Sequence, residues 1–263
     1  MTTAVLTTGL SRQSRIISAL MIRELRMRKS KSGLMLVFDL LEALGMILFM
    51  WILFVIRGRS LPLGDSLLVF IATGVLPVMF FRSLSVKTAS GIEAAKSVTF
   101  VPYIQPLDYA IARLAVEFIT FVSLFMAFFW MIHLFDLSAY AYPFDLYRLI
   151  EFLAIIVLFS FGIGLVNSFI IYLFPLWKII WSAFARLQMI LAGVYLIPEY
   201  VPEPLKTYMW YNPIMHLVAL FRTSFYPMYP TYMLSIPYIL LWTACLLILG
   251  LMMERALRNR RAR

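Results

Sequence analysis

Long apolar runs cover nearly the whole chain, broken only by short polar stretches. Leu34–Ile56, Leu67–Phe81, Leu114–Phe135, Leu149–Phe174, Ile179–Ile197 and Met233–Met253 stand out. A helix needs roughly 20 apolar residues to cross a bilayer core, and most of these runs approach that length. In lipid only helices and closed barrels satisfy their own backbone, so runs of this length predict helices. The pattern predicts an all-α polytopic membrane protein with six transmembrane helices. Residues 34–254 form its membrane domain, between a tail at 1–33 and a basic tail at 255–263.

Residues 1–14 are rich in Thr and Ser and are expected to be poorly ordered. From Arg15 to Arg28, Ile16, Ile17, Leu20, Met21 and Leu25 recur at helical spacing between basic residues. This predicts an amphipathic helix lying in the membrane interface. The plainer alternative is a basic flank that only sets topology. In the first span Asp39 and Glu42 lie three apart on one helix face. Such carboxylates must meet protein, water or a cation. They either contact a translocation path or partner, or pair with a nearby Arg. Arg113 and Glu117, spaced i, i+4, are expected to pair with each other.

Between the second and third spans the chain is too polar to span and helix-prone at Ala89–Lys96, which predicts a short cytoplasmic helix within about 88–103. A soluble partner can push on such an element. Pro102 and Pro106 then end it and start the next span. Residues 198–230 carry Pro198, Pro202, Pro204, Pro213, Pro227 and Pro230. The apolar piece Ile214–Phe225 is too short to cross, which predicts a re-entrant hairpin on the outer side. Its aromatics, with Tyr195, Tyr208, Trp210 and Tyr211 foremost, form either an interfacial belt or an outer gate on which sugars stack.

Composition agrees, with 63% hydrophobic residues and a formal net charge of +10. Seven of the 23 Lys and Arg precede Ser32 (Arg12, Arg15, Arg23, Arg26, Arg28, Lys29, Lys31), and five follow the last span (Arg255, Arg258, Arg260, Arg261, Arg263). Six spans put both ends on one side, and the positive-inside rule makes that side cytoplasmic. This placement argues against nucleic acid as the partner. The lone Cys245 excludes an intrachain disulfide. No cleavable signal peptide and no internal repeat is apparent.

Enzyme chemistry is hard to find. His133 and His216 are the only histidines, and the sequence holds no metal-ligand cluster, nucleophile elbow or phosphate loop. Gly162-Ile-Gly164 lies inside the fourth span, where small residues allow close helix packing. A transporter with a cytoplasmic platform but no nucleotide site points to energy from a separate ATPase chain.

Taken in order, several motifs resemble one family. They are Leu20-Met-Ile-Arg-Glu-Leu-Arg-Met-Arg28, Gly74-Val-Leu-Pro77, Ser90-Gly-Ile-Glu-Ala-Ala95 and Pro106-Leu-Asp108 with Ile111-Ala-Arg113 and Glu117. Gly162-Ile-Gly-Leu165, Phe174-Pro175 and Trp210-Tyr-Asn-Pro-Ile-Met-His216 with Arg222 follow. Their order and spacing over residues 15–255 are similar to the KpsM-like permease subunits of capsular polysaccharide ABC exporters. Two positions depart: Leu176 stands where members carry an acidic residue after Phe-Pro, and a tryptophan of the early first span is replaced by Phe38 and Asp39.

The resemblance implies a homodimeric inner-membrane permease with two ATPase subunits, and with periplasmic co-polymerase and outer-membrane export partners. Its cargo would be lipid-linked capsular polysaccharide; ATP and Mg would sit on the ATPase, with no cofactor or metal in this chain. Arg23, Arg26 and Arg28 would receive the lipid phosphate. Glu24, Ser90, Glu93 and Lys96 would couple to the ATPase. Tyr195, Tyr208, Trp210, Tyr211, His216 and Arg222 would line the polysaccharide path or outer gate. The same architecture also fits O-antigen, teichoic-acid or small hydrophobic cargo, and a membrane-embedded sugar transferase is the rival from another class.

Overall fold

The apolar runs become helices in the computed structural model of the chain. It describes the backbone of residues 2–31, 35–58, 61–94 and 104–261, with side chains for 11–27, 41–58, 61–94 and 104–257. In order come α1 (Thr2–Lys31), α2 (Met35–Ile56), α3 (Leu67–Ala94), α4 (Pro106–Leu134) and α5 (Leu146–Leu173). A shorter set follows: α6 (Trp177–Leu191), a 3-10 turn (Pro198–Tyr200), α7 (Leu205–Trp210) and α8 (Pro213–Phe225), before α9 (Ile236–Arg261). No strand occurs among the described residues.

Four helices are long and apolar enough to cross a membrane: α3, α4, α5 and the Leu67-to-Leu257 set's last member, Ile236–Leu257 of α9. Six were expected. α2 has the length, but its side chains are described only from Leu41, and Leu41–Ile56 is a shorter apolar helix. α6 runs 15 residues and stops at Leu191 rather than Ile197. Its end is set by Gly193, whose φ of +71° is a left-handed conformation that favours glycine.

Three local expectations change. Residues from Thr2 onward belong to α1, so 1–14 is helical rather than poorly ordered over its described part. α3 passes through Pro77 and the polar stretch after Phe81 without a break, so residues 88–94 are its last turns rather than a separate helix. The reason is local: Ser85 and Thr88 hydroxyls donate back to the Arg82 and Leu84 carbonyls at 3.0 and 2.8 Å, satisfying themselves within the helix. Residues 95–103, including Lys96 and Pro102, lie outside the described residues. Pro106 opens α4 as expected, and the Asp108 carboxylate accepts from the Gln105 amide at 2.8 Å to cap it.

α3 is the centre of the bundle, with 78% of its apolar window buried against 17% for α9. Around it α4, α5 and α8 close an aromatic core in which Phe80 stacks on Phe121, Phe125 meets Phe221 and Phe129 stacks on Phe225. Gly162 lets α5 lie against Leu246 of α9, at 3.0 Å from where a Cβ would stand. α8 packs inside the bundle: eleven of its residues, from Ile214 to Phe225, are buried.

Candidate functional site

Polar stripes at helical spacing on two helices, α3 and α6, meet Glu42 of α2 at one cleft. α2 contributes Glu42, Gly45, Met46 and Phe49, and α3 contributes Met79, Arg82, Ser83, Lys87, Ser90 and Glu93. α6 adds Lys178, Ser182 and Arg186, spaced i, i+4, i+8 and so on one face. The main part encloses about 620 Å³, and an adjoining part of about 300 Å³ shares Glu42, Met79 and Arg82 with it.

Charge in the cleft is unbalanced. Arg82 pairs with Glu42 at 2.9 Å, and Lys178 stands 3.7 Å from Glu93. Glu42 of α2 therefore meets a cation from the neighbouring helix, one of the two alternatives its position left open. Lys87 and Arg186 have no acidic partner among the described residues. Arg186 is exposed about nine residues into α6, roughly 14 Å from its start. The sequence reading passed over Lys178 and Arg186, although their common face with Ser182 was visible in the spacing.

A second cluster ties α1 to the same ends of α3 and α4. Arg113 donates to Glu24 at 3.2 Å and to the Ser90 hydroxyl at 3.0 Å. It does not pair with Glu117 four residues on; Glu117 instead accepts from the Ser83 hydroxyl. The expected pair is replaced because both residues turn toward α3, Arg113 to Ser90 and also to Glu24 of α1, Glu117 to Ser83. Arg23 donates to the Tyr109 hydroxyl at 2.8 Å, and its guanidinium lies 5.8 Å from that ring. Leu20 packs with Ile16, Ile17 and Met21 on Tyr109 and Ala112, while Ile22 and Leu25 stay about half exposed. Arg26 is exposed beside them along a shallow groove. The side chains of Arg28 and Asp39 lie outside the described residues.

The outer-gate residues separate into two kinds. Tyr208 and Tyr211 are exposed, at 71% and 61%. Trp210 lies 4.9 Å from the Tyr238 ring and meets His216 edge-on at 5.7 Å. Tyr195 is half-buried with its ring 6.5 Å from Phe54. His216 and Arg222, by contrast, are fully enclosed and line no passage in this chain. Both ring nitrogens of His216 are occupied, by the Trp210 carbonyl at 2.7 Å and the Ser235 amide at 3.2 Å.

Arg222 donates to the carbonyls of Gly193, Leu196 and Val194 at 2.9, 3.1 and 2.5 Å, and lies 4.2 Å over the Phe70 ring. These carbonyls follow the end of α6, where helical partners run out. Both residues tie α8 to its neighbours, His216 to the residues on either side of it and Arg222 to the segment after α6. Nearby, burial raises the Glu199 carboxyl above its ordinary value, against the opposing pull of backbone amides, Lys206 and Arg222.

Comparison with known proteins upholds the resemblance read from the motifs. The chain is 24% identical over 248 residues to the polysialic acid transport protein KpsM of Escherichia coli, covering 94% of this chain and 95% of that protein. It is 27% identical over 245 residues to the capsule polysaccharide export inner-membrane protein CtrC of Neisseria meningitidis serogroup A, covering 91% and 89%. BexB of Haemophilus influenzae, another capsule polysaccharide export inner-membrane protein, is 24% identical over 251 residues, covering 94% and 92%. No family model matches.

Proposed function

We propose that the chain is the membrane subunit of an ATP-driven exporter that carries lipid-linked capsular polysaccharide across an inner membrane. The α2–α3–α6 cleft, with its unneutralised Lys87 and Arg186, is the observation that carries this reading. It supplies what an anionic polymer or lipid phosphate needs: cations along the wall of an otherwise apolar bundle. The near-full-length likeness to capsule export proteins supports the cargo class.

In this reading α2 and α6 complete six spans, both termini are cytoplasmic, and α1 lies in the inner interface with Ile22 and Leu25 toward lipid. Arg26 meets headgroup phosphate there, while Arg23 is engaged by Tyr109. The end of α3, with Ser90 and Glu93, and the adjoining Glu24 receive the motion of a separate ATPase chain that binds ATP and Mg. Two copies of this chain enclose the passage, and Tyr208 and Tyr211 stand at its outer, re-entrant side. Periplasmic and outer-membrane partners take the polymer onward.

Surface capsule and polymer retained in the cell are the paired measurements. Deleting the chain, or replacing Arg186 and Lys87 together by Gln in an assembled complex, is expected to strip the surface and fill the cytoplasm with polymer. Unchanged surface capsule after deletion would overturn the cargo, and loss of polymer inside and out would favour the transferase instead.

A further inference from the structure

α6 carries a second face. Trp177, Trp181, Phe184, Gln188 and Leu191 repeat at i, i+4, i+7, i+11 and i+14, turned away from Lys178, Ser182 and Arg186. Only part of this face packs on the bundle: Trp181 meets the Phe81 ring edge-on and Gln188 is buried, while Phe184 and Leu191 stay exposed. The face forms one wall of a groove of about 600 Å³, whose other walls are α5 and α9. The outer end is rimmed by Tyr208 and Tyr211.

We propose that this groove holds one acyl chain of a resident bilayer glycerophospholipid. Size comes first. An apolar cavity of about 150 Å³ takes a six-carbon ring, so on that scale about 600 Å³ takes roughly two dozen carbons. The groove follows α6, whose 15 residues rise roughly 22 Å, and one leaflet of hydrocarbon is about 15 Å deep. One long chain with its ester fits both measures. The lining is almost wholly apolar, which suits an alkyl chain and not a sugar.

Polar chemistry at one end fixes which kind of lipid. Asn167 is 2% exposed and lines the groove. Its Oδ1 accepts from Trp177 Nε1 at 2.8 Å, which leaves Nδ2 without a partner. Trp181 Nε1, one turn along, is buried without a partner too. Two buried donors at the head of an apolar groove call for an acceptor. An ester carbonyl of a glycerolipid brings one at that depth, since Asn167 lies six residues, roughly 9 Å, before the end of α5. The chain then runs along α6 toward Tyr208 and fills the groove between α6, α5 and α9. This inference rests on the membrane placement of α5 and α9, and is independent of the exported cargo.

The test uses the full complex purified in mild detergent, with retained phospholipid counted by native mass spectrometry. The wild type is expected to keep one phospholipid per chain, and Val166→Phe or Ile170→Trp, which fill the groove, to lower retention at least tenfold. A second measurement uses a variant with Trp181 as its only tryptophan, reconstituted with phosphatidylethanolamine brominated at mid-chain. Bromine is expected to quench Trp181, and adding Val166→Phe to relieve the quenching. The proposal fails if the wild type retains no phospholipid, or if the filled variants retain as much. It also fails if Trp181 is shielded from bromine while cysteine cross-links place a second copy of the chain in the groove. Normal capsule export leaves this test unaffected.

Discussion

Replacing Arg222 by Met is the sharpest probe of the segment after α6. Met keeps much of the length of the side chain but none of its donors. Four carbonyls, of Gly193, Val194, Leu196 and, at 3.4 Å, Phe70, would be left without the guanidinium. An unsatisfied buried polar group costs about 1–3 kcal/mol, so the gross penalty is roughly 4–12 kcal/mol. Removing a buried charge returns several kcal/mol of desolvation. The cation–π contact with Phe70, worth about 1 kcal/mol, is lost as well. A net loss of about 3 kcal/mol is expected, a fall of roughly 6–12 °C in the melting temperature for a chain of this size. Thermal unfolding of the purified protein, monitored by Trp fluorescence, reads this directly. Arg222→Lys, which keeps charge but not the fork, should recover less than half of the loss. If Arg222→Met melts within about 2 °C of wild type, the guanidinium is not what holds the end of α6, and the assignment is wrong.

Other outcomes follow from the same geometry. Gly74→Ala would place a Cβ 2.5 Å from the Val194 carbonyl and 2.7 Å from Arg222, so it should lower the melting temperature by a similar amount. A double-mutant cycle over Glu24→Gln and Arg113→Gln should give a coupling of about 1–2 kcal/mol, measured by chemical unfolding; zero coupling would detach α1 from α4. Asp65 joins the segment before α3 to the loop after α4, accepting from the Ser138 hydroxyl at 2.5 Å and the Ala139 amide at 2.7 Å. Burial pushes its carboxyl up, but these hydrogen bonds and its own amide together hold it below the ordinary value. Its folded pKa being the lower, the stabilisation is present above the ordinary carboxylate range and is lost as pH falls through the folded pKa. Asp65→Asn should therefore cost stability at pH 7 and progressively less as pH falls below the ordinary carboxylate range, and a loss that does not change with pH would refute the linkage.

Much of the molecule was legible in the chain. Apolar runs near 20 residues leave the backbone no choice in lipid but a helix, so the class and the placement of α3, α4, α5 and α9 follow from hydropathy alone. Pro106 and Gly162 also declared themselves, because their steric consequences are local. What depends on partners did not. The polar stretch after Phe81 reads as a break before a separate short helix within about 88–103, yet up to Ala94 it continues α3, because Ser85 and Thr88 bond to their own helix while Lys87 and Glu93 face a cleft that exists only when α6 is opposite. Arg113 and Glu117 have the spacing of a pair, yet each found a partner on another helix. Arg222 and His216 look like functional polar residues of an outer mouth, and burial turns them into fasteners of α8. Local sterics and solvent polarity act on each residue by itself and can be read from order. Which side chains meet across helices depends on packing, and packing is a property of the whole bundle.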